Sequence, residues 1–367
     1  MSQEFRKTIL IVCEGQRSEP DYFHSLKNET IENNKNIFIR ILPIPKEEQL
    51  QIDEEVANFK LRNGAKKRSI RKAIIEEPQD YIIEDEYKAQ PTCYIRKAQL
   101  AYFEKGYSEL WAVYDKDGHP DHLNAYLLSK NKEECNKTVN IGFSSISFEE
   151  WILMHFEYCS TSFVKSQCRD SDKRIFNCGT NTHELDCHGE RCVIGKIIEN
   201  KYLPYTSSKN FEYNDFSQNT VVAFNNALKS RIEAVGKGSF FNNNPYVSID
   251  RLVFKLKHFD KADHIWRYSN TIKMSRDVII TYNKKDNQFI INNSSTASFI
   301  LQSGSVELID CNYNVLKSNN RMLIVPNCEE IILEVEKLEL NTFSYVIFKL
   351  NNIEYNILDL SQLQSFT

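Results

Sequence analysis

The sequence predicts an α/β protein: a doubly wound, mostly parallel sheet carrying helical and Cys-rich insertions, followed by an all-β, sandwich-like C-terminal region. Three observations carry that expectation. Apolar runs at residues 7–14 and 109–114 show no polar alternation, as strands buried on both faces require. Helical patterns fall between such runs, the order of a βαβ chain. Beyond about residue 270 short β-prone runs are parted by Asn, Ser, Asp and Gly turns, the texture of an antiparallel sandwich or barrel.

Taken in order, Ile9, Leu10, Ile11, Val12 and Cys13 make the first strand, with Cys13 a small core residue. Ser18 is a candidate N-cap and Pro20 suits the first turn of the helix that follows. Residues 37–44 read as a second strand. Residues 46–104 are helical and strongly charged, a long crossover with an insertion at 48–100. Residues 109–114, ELWAVY, give the next strand, 121–133 a helix and 139–143 a short strand. Residues 147–158 read as a helix in which Ser147 and Glu150 have the spacing of a capping box. Residues 159–200 are rich in Cys, Asn, Asp and Lys with weak periodicity. Helical patterns return at 218–236 and 247–258, parted by a turn-rich break. At 367 residues the chain has room for two domains, 1–262 and 263–367.

A net charge of −4 does not announce a nucleic-acid binder, so local distribution matters more. Lys60, Arg62, Lys66, Lys67, Arg68, Arg71 and Lys72 fall in one stretch without an acid. Such a block is either a solvated surface or a contact to a phosphate backbone. No apolar run is long enough to span a membrane, and the N-terminus has no signal-peptide pattern. Both point to a cytoplasmic protein with reduced cysteines.

The chemistry is concentrated where strands end. Glu14 closes the first run; Asp115 and Asp117 close the run at 109–114. Carboxyl ends of parallel strands are where open α/β sheets bind ligands. Carboxylates gathered there repel one another unless a divalent cation lies between them. The expected ion is Mg²⁺, and the expected chemistry involves phosphate. Gly15 allows a tight turn and close approach. Glu19, at the mouth of the next helix, can point back to the same pocket or complement the helix N-terminus.

The run Glu14-Gly15-Gln16-Arg17-Ser18-Glu19-Pro20-Asp21-Tyr22-Phe23 resembles the E-G-x-x-T-E-P-x-Y-F signature of RloB-like proteins. Asp115-Lys116-Asp117 resembles their D-x-D, and residues 144–156 resemble their S-N-P-x-F-E-x-W-L-L-x-H-F stretch, with Ser145-Ile146-Ser147 replacing its usual turn. The resemblance covers roughly residues 5–258. It implies a Toprim fold, related to that of the overcoming-lysogenization-defect nucleases, and an Mg²⁺- or Mn²⁺-dependent nuclease with two ions, a toxic effector in anti-phage defence. By the same resemblance Glu14 is a metal ligand or general base, and Asp115 and Asp117 are metal ligands. Glu19 and Glu149 are further ligand candidates, and Lys209 is either the group that steadies charge on the phosphate or a solvated surface lysine. For Glu149 a helix-dipole charge is an equal reading.

Other features divide between two readings each. Cys159, Cys168, Cys178, Cys187 and Cys192, with His183 and His188, leave a structural Zn²⁺ open. Intervening gaps of eight, nine, eight and four residues favour reduced thiols instead. His119 and His122 could bond phosphate or be satisfied loop histidines, and His155 reads as packing. The β-rich end carries no catalytic motif; partner binding, sensing or oligomerisation is its expected role. The expected partners are nucleic acid, RNA or DNA, and a regulatory protein such as a defence ATPase or sensor, with no membrane. A non-cleaving module that binds nucleotide or nucleic acid and recruits a partner is the alternative.

Overall fold

The computed structural model of the chain describes residues 7–33, 37–63, 81–116, 118–131, 135–158, 160, 162–163, 166, 192–203, 211–234 and 237–257, and a set of short strands with a few flanking residues between 266 and 359. The chain builds β1 (Lys7–Cys13), α1 (Ser18–Asn33), β2 (Ile37–Leu42), α2 (Lys46–Asn63), α3 (Thr92–Lys105) and β3 (Glu109–Asp115). It continues with α4 (His122–Lys130), β4 (Val139–Ser144), α5 (Phe148–Met154), α6 (Val193–Glu199), α7 (Thr220–Glu233) and α8 (Asp250–Lys257).

The strands β2-β1-β3-β4 form, in that order, a four-stranded sheet in which every pairing is parallel. This is the expected α/β architecture, and it is consistent with a Toprim-like core. From β1 the chain crosses to β2 on one side, then returns past β1 to β3 on the other. The strand order therefore reverses between β1 and β3, which makes their carboxyl ends the topological switch point.

Period-two alternation explains why β1 and β3 read as unbroken apolar runs. Ile9, Ile11 and Cys13, with Trp111 and Val113, enter one core with α1, α5, α7 and α8. Leu10 and Val12, with Leu110, Ala112 and Tyr114, enter a second core with α3 and α4. Both faces are covered, so neither strand has a polar side to show. Trp111, Trp151, Tyr22 and Phe148 are fully buried; a large apolar side chain so placed contributes ~1.5–3 kcal/mol. Cys13 is a buried core residue, as its strand predicts.

Buried ion pairs pin the helices. Arg231 in α7 grips the Asp250 carboxylate through Nη1 at 2.6 Å and Nη2 at 2.8 Å, and both residues are buried. Lys255 Nζ, on α8, lies 3.0 Å from Glu109 Oε2 at the start of β3. At the end of α3, Gly106 takes φ +68 and donates its N–H to the Tyr102 carbonyl at 2.7 Å. A left-handed C-cap of this kind favours glycine.

Several boundaries differ from the sequence reading. The helical stretch 46–104 is α2 and α3, and between them lie an extended piece with a 3-10 turn at Asp85–Tyr87 and residues outside the description. The helix expected over 147–158 stops at Met154, and that over 121–133 spans His122–Lys130. Helix α1 starts at Ser18, which puts Ser18 inside its first turn rather than before it. Beyond residue 266 the described residues form short strands paired mostly antiparallel, such as Val278–Asn283 with Gln288–Asn293 and Tyr345–Leu350 with Ile353–Asp359. Among the described residues no helix is long and apolar enough to cross a membrane.

Candidate functional site

Glu14 extends the β1–β3 ladder by one residue, its N–H donating to the Val113 carbonyl at 2.8 Å. That pairing delivers its side chain to the sheet's carboxyl edge. Glu14 Oε2 accepts the Asp115 N–H at 2.8 Å, and Oε1 lies 3.3 Å from His119 Nε2. The first predicted acid thus bridges the ends of the two strands on either side of the switch point.

Asp115 closes β3, and its Oδ2 accepts the Phe148 N–H at 2.9 Å. The strand carboxylate therefore caps α5. This corrects the capping box. Ser147 holds the N-cap position but makes no side-chain cap bond, and Glu150 turns instead to Ser145 Oγ at 2.6 Å and the Ile146 N–H at 3.3 Å. A carboxylate is a strong acceptor, and Asp115 meets the first helix amide, one that a side chain at the N-cap does not reach. The second oxygen of Asp115, Oδ1, is buried and has no hydrogen-bond partner.

Glu19, 4% exposed, lies folded against Gly15. A Cβ on Gly15 would stand 1.9 Å from Glu19 Oε2, so the glycine makes room for this carboxylate. Burial pushes the Glu19 carboxyl up to about 7, and the charges of Glu149 and Glu14 push in the same direction. Burial also raises Asp115 well above the ordinary carboxyl range, with Glu19, Glu14 and Glu149 adding to it. Glu149, in the first turn of α5, is buried and accepts from Ser166 Oγ at 3.0 Å. Its charge bears on both Glu19 and Asp115.

A profile of the family described as RloB-like protein matches residues 9–256. The chain belongs to the RloB-like family. No curated protein and no solved structure matches it. The matched span runs from β1 into α8 and includes Glu14, Glu19, Asp115 and Glu149, leaving the β-rich end outside.

In this RloB-like protein four of the predicted acids share one electrostatic neighbourhood. Asp117 and Lys209 lie outside the described residues, as do Lys66, Lys67, Arg68, Arg71 and Lys72 and the side chains of Lys60 and Arg62. The same holds for Cys159, Cys168, Cys178, Cys187, His183 and His188, while Cys192 is a buried thiol. Among the described residues no three His, Cys, Asp or Glu side chains are close enough together to hold a metal ion as they stand. The donor set nonetheless fits a hard cation in two respects. It is all carboxylate oxygen, which Mg²⁺ prefers. It also contains a buried oxygen with no donor, Asp115 Oδ1.

The histidines separate. His122 Nε2 lies 3.1 Å from the Lys116 carbonyl, and its ring stacks between Tyr114 and Phe241, so it packs in the interior, with its Nδ1 buried and without a hydrogen-bond partner. His155 packs against Trp151, ring centroids 4.7 Å apart, as read from sequence. His119 instead faces Glu14. Sequence reading missed Tyr94, which opens onto the same acids: it stacks on Tyr114, and after burial the charges of Glu14, Glu19 and Asp115 raise its phenol above the ordinary range. The one available signal was topological. A helix leading into β3 runs antiparallel to the strands and so starts at their carboxyl ends.

Proposed function

We propose that this protein is a divalent-metal-dependent nuclease on a Toprim-like core, hydrolysing phosphodiester bonds of RNA, transfer RNA included, or of DNA. In this reading it is a toxic effector of prokaryotic anti-phage defence, working in the cytoplasm. The observation that carries the proposal is the gathering of Glu14, Glu19, Asp115 and Glu149 at the switch point, with an unpartnered Asp115 oxygen among them. Membership of the RloB-like family supports it.

Asp115, Glu19 and Glu149, joined by Asp117, would hold Mg²⁺ or Mn²⁺, two ions in all. Such ions, when bound, supply Lewis acidity to the scissile phosphate and its leaving oxygen. Glu14, its carboxylate oriented by the Asp115 N–H, takes the proton of the attacking water in this scheme. Lys209 would balance charge on the phosphate, and the basic stretch at 60–72 would follow the nucleic-acid backbone. The β-rich region, taken as a separate domain from residue 263, would engage a regulatory partner.

The test is incubation with labelled DNA, total RNA and transfer RNA in Mg²⁺, Mn²⁺ or EDTA, using Glu14→Ala and Asp115→Ala controls. Metal-dependent scission lost in both variants is expected. Scission retained in both, or absent from the parent in every arm, overturns the proposal. One observation favours a second reading: among the described residues no three carboxylates are close enough together to hold an ion as they stand. A non-cleaving module that recruits a partner predicts binding to nucleotide or nucleic acid without scission.

A further inference from the structure

We propose that His119 is a positioning residue of this site, holding the Glu14 carboxylate in its working plane. The inference rests on the nuclease reading and adds to it a residue that the acid motifs do not contain.

Glu14 has two oxygens to orient. Oε2 is held by a backbone amide, the Asp115 N–H, at 2.8 Å. A carboxylate fixed at one oxygen can still swing about that bond. The second contact, from His119 Nε2 to Oε1 at 3.3 Å, removes that freedom. Partners of this kind, one step behind a reacting group, matter because small misplacements are costly in rate.

The turn carrying His119 is built to deliver it. The His119 N–H donates to the Lys116 carbonyl at 3.0 Å. Gly118 takes φ +74, and a Cβ there would meet nothing within 4 Å. The demand for glycine is thus purely conformational. The turn is anchored twice more: the Lys116 N–H donates to the Ser144 carbonyl at 3.1 Å, and the Lys116 carbonyl is 3.1 Å from His122 Nε2. His122 is itself clamped between Tyr114 and Phe241. Backbone and side-chain hydrogen bonds on either side of it therefore present His119, whose side chain is 27% exposed, to an acid at the mouth of the site. That exposure separates it from His122 and His155, which pack in the interior.

The experiment compares the full chain with His119→Ala, His119→Gln and Gly118→Ala. It measures kcat and KM on whichever nucleic acid the parent cleaves, Mn²⁺ affinity by calorimetry, and thermal stability. His119→Ala is expected to lose about 10–100-fold in kcat with KM and melting temperature little changed. His119→Gln keeps an N–H donor and is expected to recover part of the loss, while Gly118→Ala falls on the side of the alanine variant. Parental kcat in His119→Ala, or a loss that appears wholly in KM or in melting temperature, overturns the inference. Mn²⁺ affinity is expected to stay parental, since Glu14 is not among the groups that hold the ions, and a loss of about tenfold or more overturns the inference. If the parent cleaves nothing, the nuclease reading fails and the Glu14 side chain is read directly: in a crystal structure of His119→Ala, a Glu14 carboxylate turned out of its parental plane supports the inference, and one that keeps that plane overturns it.

Discussion

At the amino end of β3 and between α7 and α8, carboxylates meet buried cations: Glu109 faces Lys255 at 3.0 Å, and Asp250 takes both Nη atoms of Arg231. At the carboxyl ends of β1 and β3 the buried acids Glu19 and Asp115 face other acids, Glu14 and Glu149, and each is driven toward its protonated form. The same sheet therefore treats negative charge in two ways. Where charge is matched within the chain, it fastens helices. Where acids crowd one another, the fold spends stability to keep them together, and a cation from outside the chain would relieve the repulsion.

Breaking the matched region should give the largest effect. Arg231→Ala leaves Asp250 buried without its guanidinium and is expected to cost about 3–5 kcal/mol in urea unfolding. The double variant Arg231→Met with Asp250→Leu should regain most of it, because removing both charges leaves none stranded. A cost under about 1 kcal/mol for the single variant would mean that the pair fastens nothing.

Breaking the crowded region should have the opposite sign. The Glu19 carboxyl is raised from 4.5 to about 7 in the folded protein. The folded state then binds more protons than the unfolded chain between these values. This contribution to stability is fully present below the lower one and is lost as pH rises through the upper one. In metal-free protein Glu19→Gln is thus expected to stabilise by up to about 3 kcal/mol at pH ~8 and to change little at pH ~4. Equal effects at both pH values would show that Glu19 is not a strained acid.

A smaller effect sharpens the same point. Gly15→Ala puts a Cβ into Glu19 Oε2, the mobile end of a side chain that can move aside. The stability cost should be about 1 kcal/mol, and it should shrink in a Glu19→Gln background as the two sites couple. Additive effects in the double variant would separate Gly15 from the carboxylate it is said to accommodate.

The strands and their terminal acids were legible because burial on both faces leaves an unbroken apolar run, and the first polar residue after it marks the sheet edge. Glu14 and Asp115 needed nothing more. Local spacing misled at Ser147 and Glu150: neither makes the reciprocal cap, and the first helix amide, Phe148 N–H, is met by Asp115, 33 residues away in the chain. Arg231 with Asp250, Lys255 with Glu109 and His119 with Glu14 were beyond reach for the same reason. Such pairs form when helices and turns pack, and no periodicity records them. Gly15 was read for its turn, yet the space it leaves is filled by the Glu19 side chain rather than by backbone.

The central claim, that the clustered acids form a divalent-cation site, is tested most directly by calorimetric titration of metal-free protein with Mn²⁺ at pH ~8. The account predicts saturable binding by the parent, weakened about tenfold or more in Asp115→Asn and in Glu19→Gln. No binding by the parent, or parental affinity in both variants, would contradict it.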